Sequence, residues 1–134
     1  MNYPILALCI LVIVVLVYKL WKPVISPKRP VPSGEARVYF FFTNWCGFSK
    51  KAMPQWEAVE EQLKKTPYFG TTHVVPVRVN CEDEVKTCEL YGVDAYPTFK
   101  VETKTALDDY VGKHKAENIL AHLRNTFGKE RESL

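Results

Sequence analysis

The run Trp45-Cys46-Gly47-Phe48-Ser49-Lys50-Lys51-Ala52-Met53-Pro54, WCGFSKKAMP, joins two segments of opposite character. Before it, Arg37 to Thr43 (RVYFFFT) is β-branched and aromatic, which predicts a strand covered on both faces. After it, Trp56, Val59 and Leu63 recur at helical spacing, so a helix should start at or beside Cys46 and run to about Lys65, with Pro54 kinking it. The thiol of Cys46 then sits at the positive end of a helix, where a thiolate is favoured. Ser49, one turn on, brings a hydroxyl that can donate to that thiolate.

Downstream, Thr66 to Thr72 reads as a loop and His73 to Val79 (HVVPVRV) as a second strand. Val85 to Tyr91 is a short helix ended by Gly92. Pro97 to Glu102 and Leu107 to Val111 predict a hairpin. Lys115 to Phe127 predicts a closing amphipathic helix with Ile119, Leu120, Leu123 and Phe127 turned inward. The order β-α-β-α-β-β-α implies an α/β domain over residues 35–134, with a mixed central sheet and helices on both faces.

Upstream, Ile5 to Val17 is apolar without a break, and through Trp21 only Lys19 interrupts the run. This is near the lower limit for a membrane span, so residues 1–21 are expected to form a transmembrane anchor, with membrane contact through residues 4–21. A cleaved signal peptide fits less well, because no Lys or Arg precedes the run and no small-x-small site follows it. Residues 22–34 carry four prolines and predict an extended basic linker. The net charge is +3, with 18 basic residues against 15 acidic. Lys19, Lys22, Lys28 and Arg29 supply the excess, so the basic character belongs to a membrane flank and no nucleic-acid partner is expected.

Three pieces carry a resemblance: WCGFSKKAMP itself, VNCEDEVKTCELYGVDAYPTF from Val79 to Phe99, and YVGKHKAENILAHL from Tyr110 to Leu123. Together they resemble the thioredoxin superfamily, and more closely a catalytic domain of the protein disulfide isomerase type, over most of residues 37–126. The family's first strand and helix have no counterpart, so the domain is near the minimal core of the thioredoxin-like fold. The resemblance implies a cis Tyr96–Pro97 peptide facing Cys46, with the Tyr96 backbone free to pair with an extended peptide. It marks Trp45, Gly47, Phe48, Tyr96 and Pro97 as substrate-binding, Cys46 and Ser49 as catalytic, and Cys81 with Cys88 as a structural disulfide. No further ligand pair accompanies those two cysteines, which argues against zinc. Cys9 lies in the apolar segment.

The chain departs from the family at three positions. Ser49 stands where a second cysteine would resolve a mixed disulfide. Phe40 replaces an acidic residue six positions before Cys46, and His114 replaces an arginine after the late glycine. In the family, both lost groups manage the proton of the second cysteine. The resemblance therefore implies a monothiol site for thiol–disulfide exchange that lacks the resolving cysteine. It would form mixed disulfides with cysteine-containing clients, and these would be resolved by a client thiol or by glutathione as an external thiol. A non-catalytic binding or structural module at a membrane is the alternative. Cys-Gly-Phe-Ser is also the signature of monothiol glutaredoxins that hold an iron–sulfur cluster, but their Gly-Gly-Asp segment is absent from TALDDYVGKHK. No resident cofactor is expected.

The two location signals disagree. Basic residues after the apolar run put the domain on the cytoplasmic side of a single-pass protein. The resemblance and the cysteine pair favour the endoplasmic reticulum lumen or another oxidising compartment. A virion membrane of a large DNA virus with its own disulfide pathway would satisfy both.

Overall fold

The computed structural model describes residues 3–20 and 30–132, the side chains of residues 18–20 excepted. Most of the linker and its basic residues, Lys22, Lys28 and Arg29, lie outside the described residues, as does Trp21. The first element, α1 (Tyr3–Leu20), has exposed side chains from Tyr3 through Val17. Among the described residues no helix is long and apolar enough to cross a membrane, which corrects the expected span. The 18 residues of α1 reach about 27 Å at a rise of about 1.5 Å each, against a hydrocarbon core of about 30 Å.

The domain follows as β1 (Glu35–Phe42), α2 (Gly47–Lys65), β2 (Tyr68–Phe69), β3 (Thr72–Asn80), α3 (Val85–Leu90), β4 (Thr98–Glu102), β5 (Leu107–Asp109), α4 (Ala116–Phe127) and β6 (Glu130–Arg131). The expected βαβαββα order is there, with the two-residue strands β2 and β6 added. They pair with each other, and β2 also pairs with the start of β3. The sheet order is β5-β4-β1-β3-β2-β6. Strand β1 runs parallel to β3 and antiparallel to β4, so the sheet is mixed.

Strand β1 explains the unbroken apolar run. Its even residues Val38, Phe40 and Phe42 enter a core with Trp56, Val59 and Leu63 of α2 and Ile119, Leu120 and Leu123 of α4. Its odd residues Tyr39 and Phe41 enter a second core with Val79, Cys81, Cys88 and Tyr91, on the α3 side. A strand covered on both faces has no polar face to show. Pro76 is tolerated in β3 because β2 pairs only with Thr72 and His73, leaving the outer edge open at Pro76. Helix α2 is a single helix through Pro54, although that residue cannot donate the N–H of a normal helical turn. Gly70 (φ +58°) turns β2 into β3 directly against the backbone of Phe127, where a side chain would collide.

Candidate functional site

The site forms where β1 delivers the chain to the start of α2. Cys46 is the N-cap residue, with φ −79° and ψ 120°, and its carbonyl accepts the first helical bond from Lys50 N–H at 3.1 Å. No side chain caps the helix here, so the free amide hydrogens of the first turn point toward the thiol. The Ser49 backbone N–H is the main influence lowering the Cys46 pKa. Partial burial opposes it, and the Phe48 N–H and the Ser49 hydroxyl add to the lowering. These are hydrogen bonds to the charged form, so they favour the thiolate.

Ser49 is 1% exposed. Its Oγ accepts a bond from Thr43 N–H at 3.4 Å, joining the end of β1 to the first turn of α2. Thr43 Oγ1 is also buried and has no hydrogen-bond partner among the described residues. Trp45 and Phe48 flank the sulfur and are 67% and 71% exposed. A Cβ built on Gly47 would meet nothing within 4 Å, so the surface around the thiol is open there.

On the far side lies the loop before β4. The Tyr96–Pro97 peptide is cis. The Cys46 thiol donates to the Tyr96 carbonyl at 3.5 Å. The Tyr96 carbonyl expected to face an extended peptide thus also accepts from the thiol. The next carbonyl back, that of Ala95, is taken by the Thr98 hydroxyl at 2.6 Å. The Tyr96 ring meets Trp45 edge-on, with centroids 6.0 Å apart. The structure thus brings Trp45, Cys46, Ser49 and Tyr96 together around one sulfur.

Beneath the site the surroundings are apolar. Phe40 is fully buried and stacks with Phe42, Trp56 and Phe99 at centroid distances of 5.0–5.3 Å. The His114 ring lies 5.0 Å from that of Phe99, and burial lowers its pKa. Cys81 and Cys88 are joined by a disulfide, with Cα atoms 5.8 Å apart, in the α3-side core. Among the described residues no group of three or more His, Cys, Asp or Glu is placed to hold a metal ion.

Two features had no signal in the sequence. Asn44 N–H donates to Glu82 Oε2 at 2.5 Å, tying the loop closed by the disulfide to the turn that carries Cys46. In the α3-side core, Tyr39 donates to Glu102 at 2.7 Å, and Tyr91 donates to Tyr39 at 2.9 Å. Burial, then these hydrogen bonds, push the Tyr39 phenol far above its usual pKa, so it remains neutral there.

The thioredoxin family model matches residues 29–125. Chicken (Gallus gallus) protein disulfide-isomerase A3 is 36% identical over 90 residues, covering 66% of this chain and 16% of that protein. Rice (Oryza sativa subsp. japonica) protein disulfide isomerase-like 2-2 is 34% identical over 103 residues, covering 75% of this chain and 26% of that protein. Among solved structures, human ERp44 aligns with a TM-score of 0.62 at 22% identity, over 72% of this chain and 29% of that one. The first thioredoxin domain of mouse protein disulfide-isomerase A4 aligns with a TM-score of 0.59 at 24% identity, over 68% and 62%. The chain therefore spans a small part of the length of these curated relatives. It belongs to the thioredoxin family.

Proposed function

We propose that this is a monothiol thiol–disulfide exchange protein that acts through Cys46 on cysteine-containing clients. One observation carries the proposal: a thiol with a lowered pKa stands at the N-terminus of α2, while the residue one turn on is a buried serine. The Cys46 thiolate attacks a client disulfide. A bond forms between Cys46 and one client sulfur, the client S–S bond breaks, and the departing sulfur leaves as a thiolate that takes a proton from water. Ser49 cannot attack the mixed disulfide in turn. Release therefore needs a thiol from the client, giving isomerisation, or glutathione as an external thiol. Either one restores the Cys46 thiolate and carries its own sulfur into the new disulfide.

The lack of a fast internal exit makes captured clients long-lived. Non-reducing gels of cells holding the full chain should show high-mass adducts that collapse with reductant. Cys46→Ser should abolish them, and Cys81→Ala with Cys88→Ala should leave them. Adducts that survive Cys46→Ser would refute the role of that thiol. Adducts that depend on Cys46 without any exchange of model disulfides would favour the binding-module alternative.

We also propose that α1 holds the domain at a membrane facing an oxidising compartment. The support is the exposure of Ile5 through Val17, together with the Cys81–Cys88 bond. Flotation with vesicles that is lost on deleting residues 3–20 tests the first half.

A further inference from the structure

Two donors have claims on one acceptor. The Cys46 thiol donates to the Tyr96 carbonyl at 3.5 Å. An extended client lying along this loop would offer a backbone N–H to the same oxygen. The neighbouring Ala95 carbonyl is not a substitute, because the Thr98 hydroxyl holds it at 2.6 Å. We propose that the Tyr96 carbonyl couples docking to activation: a client N–H bound there displaces the Cys46 S–H and so releases its proton at the moment a disulfide arrives. This rests on the exchange function proposed above.

The direction follows from what each state of the sulfur can do. A thiol can donate to Tyr96 O, and a thiolate cannot. The bond to Tyr96 O therefore stabilises the protonated form, in opposition to the amides of Ser49 and Phe48. When a client N–H takes the carbonyl, this restraint is removed. The proton passes to water, and the thiolate is left with the amides and the Ser49 hydroxyl as donors. A carbonyl has two lone pairs, yet a second donor weakens the first, and the positive end of the arriving N–H dipole also favours a sulfur anion. Both effects act in the same sense.

Charged and titratable groups stand on the elements that carry the site. Lys50 and Lys51 stand on the first turn of α2, Glu82 is bonded to Asn44 N–H, and Asp94 and the Tyr96 phenol lie on the loop before β4. None of them is among the causes of the lowered Cys46 pKa. Docking can therefore act through the carbonyl without first overcoming an ion pair.

The test uses the full chain in mild detergent with Cys9→Ser, and three kinds of nitropyridyl disulfide. One is a short extended peptide carrying it on a central cysteine. The second is the same peptide N-methylated at each position in turn. The third is nitropyridyl ethyl disulfide, which has no backbone. Attack by Cys46 forms a bond to the peptide sulfur and expels the coloured nitrothiopyridone. For the parent peptide, the pH midpoint of the maximal rate should lie below the midpoint of the second-order rate constant. Well below both midpoints, the maximal rate should exceed that of one N-methylated peptide by about threefold, the size of one weak hydrogen bond. Coincident midpoints for the parent peptide would overturn the coupling. So would a parent rate matched by every methylated peptide, or a failure to saturate. The ethyl disulfide separately reports whether Cys46 exchanges at all, so loss of the coupling and loss of the exchange function give different results.

Discussion

Opening the Cys81–Cys88 bridge should cost the domain a definite share of its stability. The bond closes a loop with a sequence separation of 7, in a core where both sulfurs are buried. For a loop of this length, the chain-entropy estimate is about 2.5 kcal/mol at 25 °C. Replacing both cysteines with alanine also empties two buried sulfur positions, each worth roughly 1 kcal/mol as a methyl-sized void. The assay is urea unfolding of the full chain in detergent, in a Cys46→Ser background so that this thiol cannot reshuffle the bridge. Oxidised and reduced protein should differ by about 2.5 kcal/mol, and the double alanine variant should lie roughly 2 kcal/mol lower still. For a domain of about 100 residues the first step alone lowers the melting temperature by about 10 °C or more. Coincident oxidised and reduced transitions, or thiol labelling of both cysteines without reductant, would refute the argument.

Ser49→Cys should create a dithiol site and raise reductase activity on insulin. The gain should stay well below that of a dithiol enzyme, because Phe40 and His114 provide no carboxylate or guanidinium to manage the new proton; equal activity would contradict this. Burial lowers the pKa of His114, so its share of stability is complete above about pH 6.5 and is lost as the pH falls through the lower folded-state value. His114→Gln should flatten that loss in acid titrations of stability, and an unchanged profile would show that the ring is freely solvated. The chain purified with glutathione should be colourless, and bound iron near half-stoichiometric to monomer would instead establish the cluster chemistry of the Cys-Gly-Phe-Ser string.

The legible parts of the fold were those whose residues carry a local signal. Arg37 to Thr43 announced a doubly covered strand because both faces are apolar, and Trp56, Val59 and Leu63 marked the inner face of α2. Strands β2 and β6 were not legible, because two residues cannot display an alternation. The apolar run was read through Trp21, which lies outside the described residues; within them α1 spans Tyr3–Leu20. At the site, Cys46 and Ser49 were visible from their spacing, and Tyr96 and Pro97 from the family pattern. The engagement of the Tyr96 carbonyl was not, because it joins residues 50 positions apart through a backbone atom that every residue type has. The same holds for Asn44 with Glu82, and for the Tyr39–Glu102 bond across 63 positions.

The reactivity of Cys46 is the point on which the proposed function stands. Its alkylation by iodoacetamide should be followed against pH in the full chain with Cys9→Ser, beside a cysteine-containing model peptide in the same buffer. The amides of Ser49 and Phe48 and the Ser49 hydroxyl favour the thiolate. The protein's midpoint should therefore fall below that of the peptide, and Ser49→Ala should move it part of the way back. A midpoint at or above that of the peptide would mean that the helix start does not activate the thiol, and exchange through Cys46 would have to be abandoned.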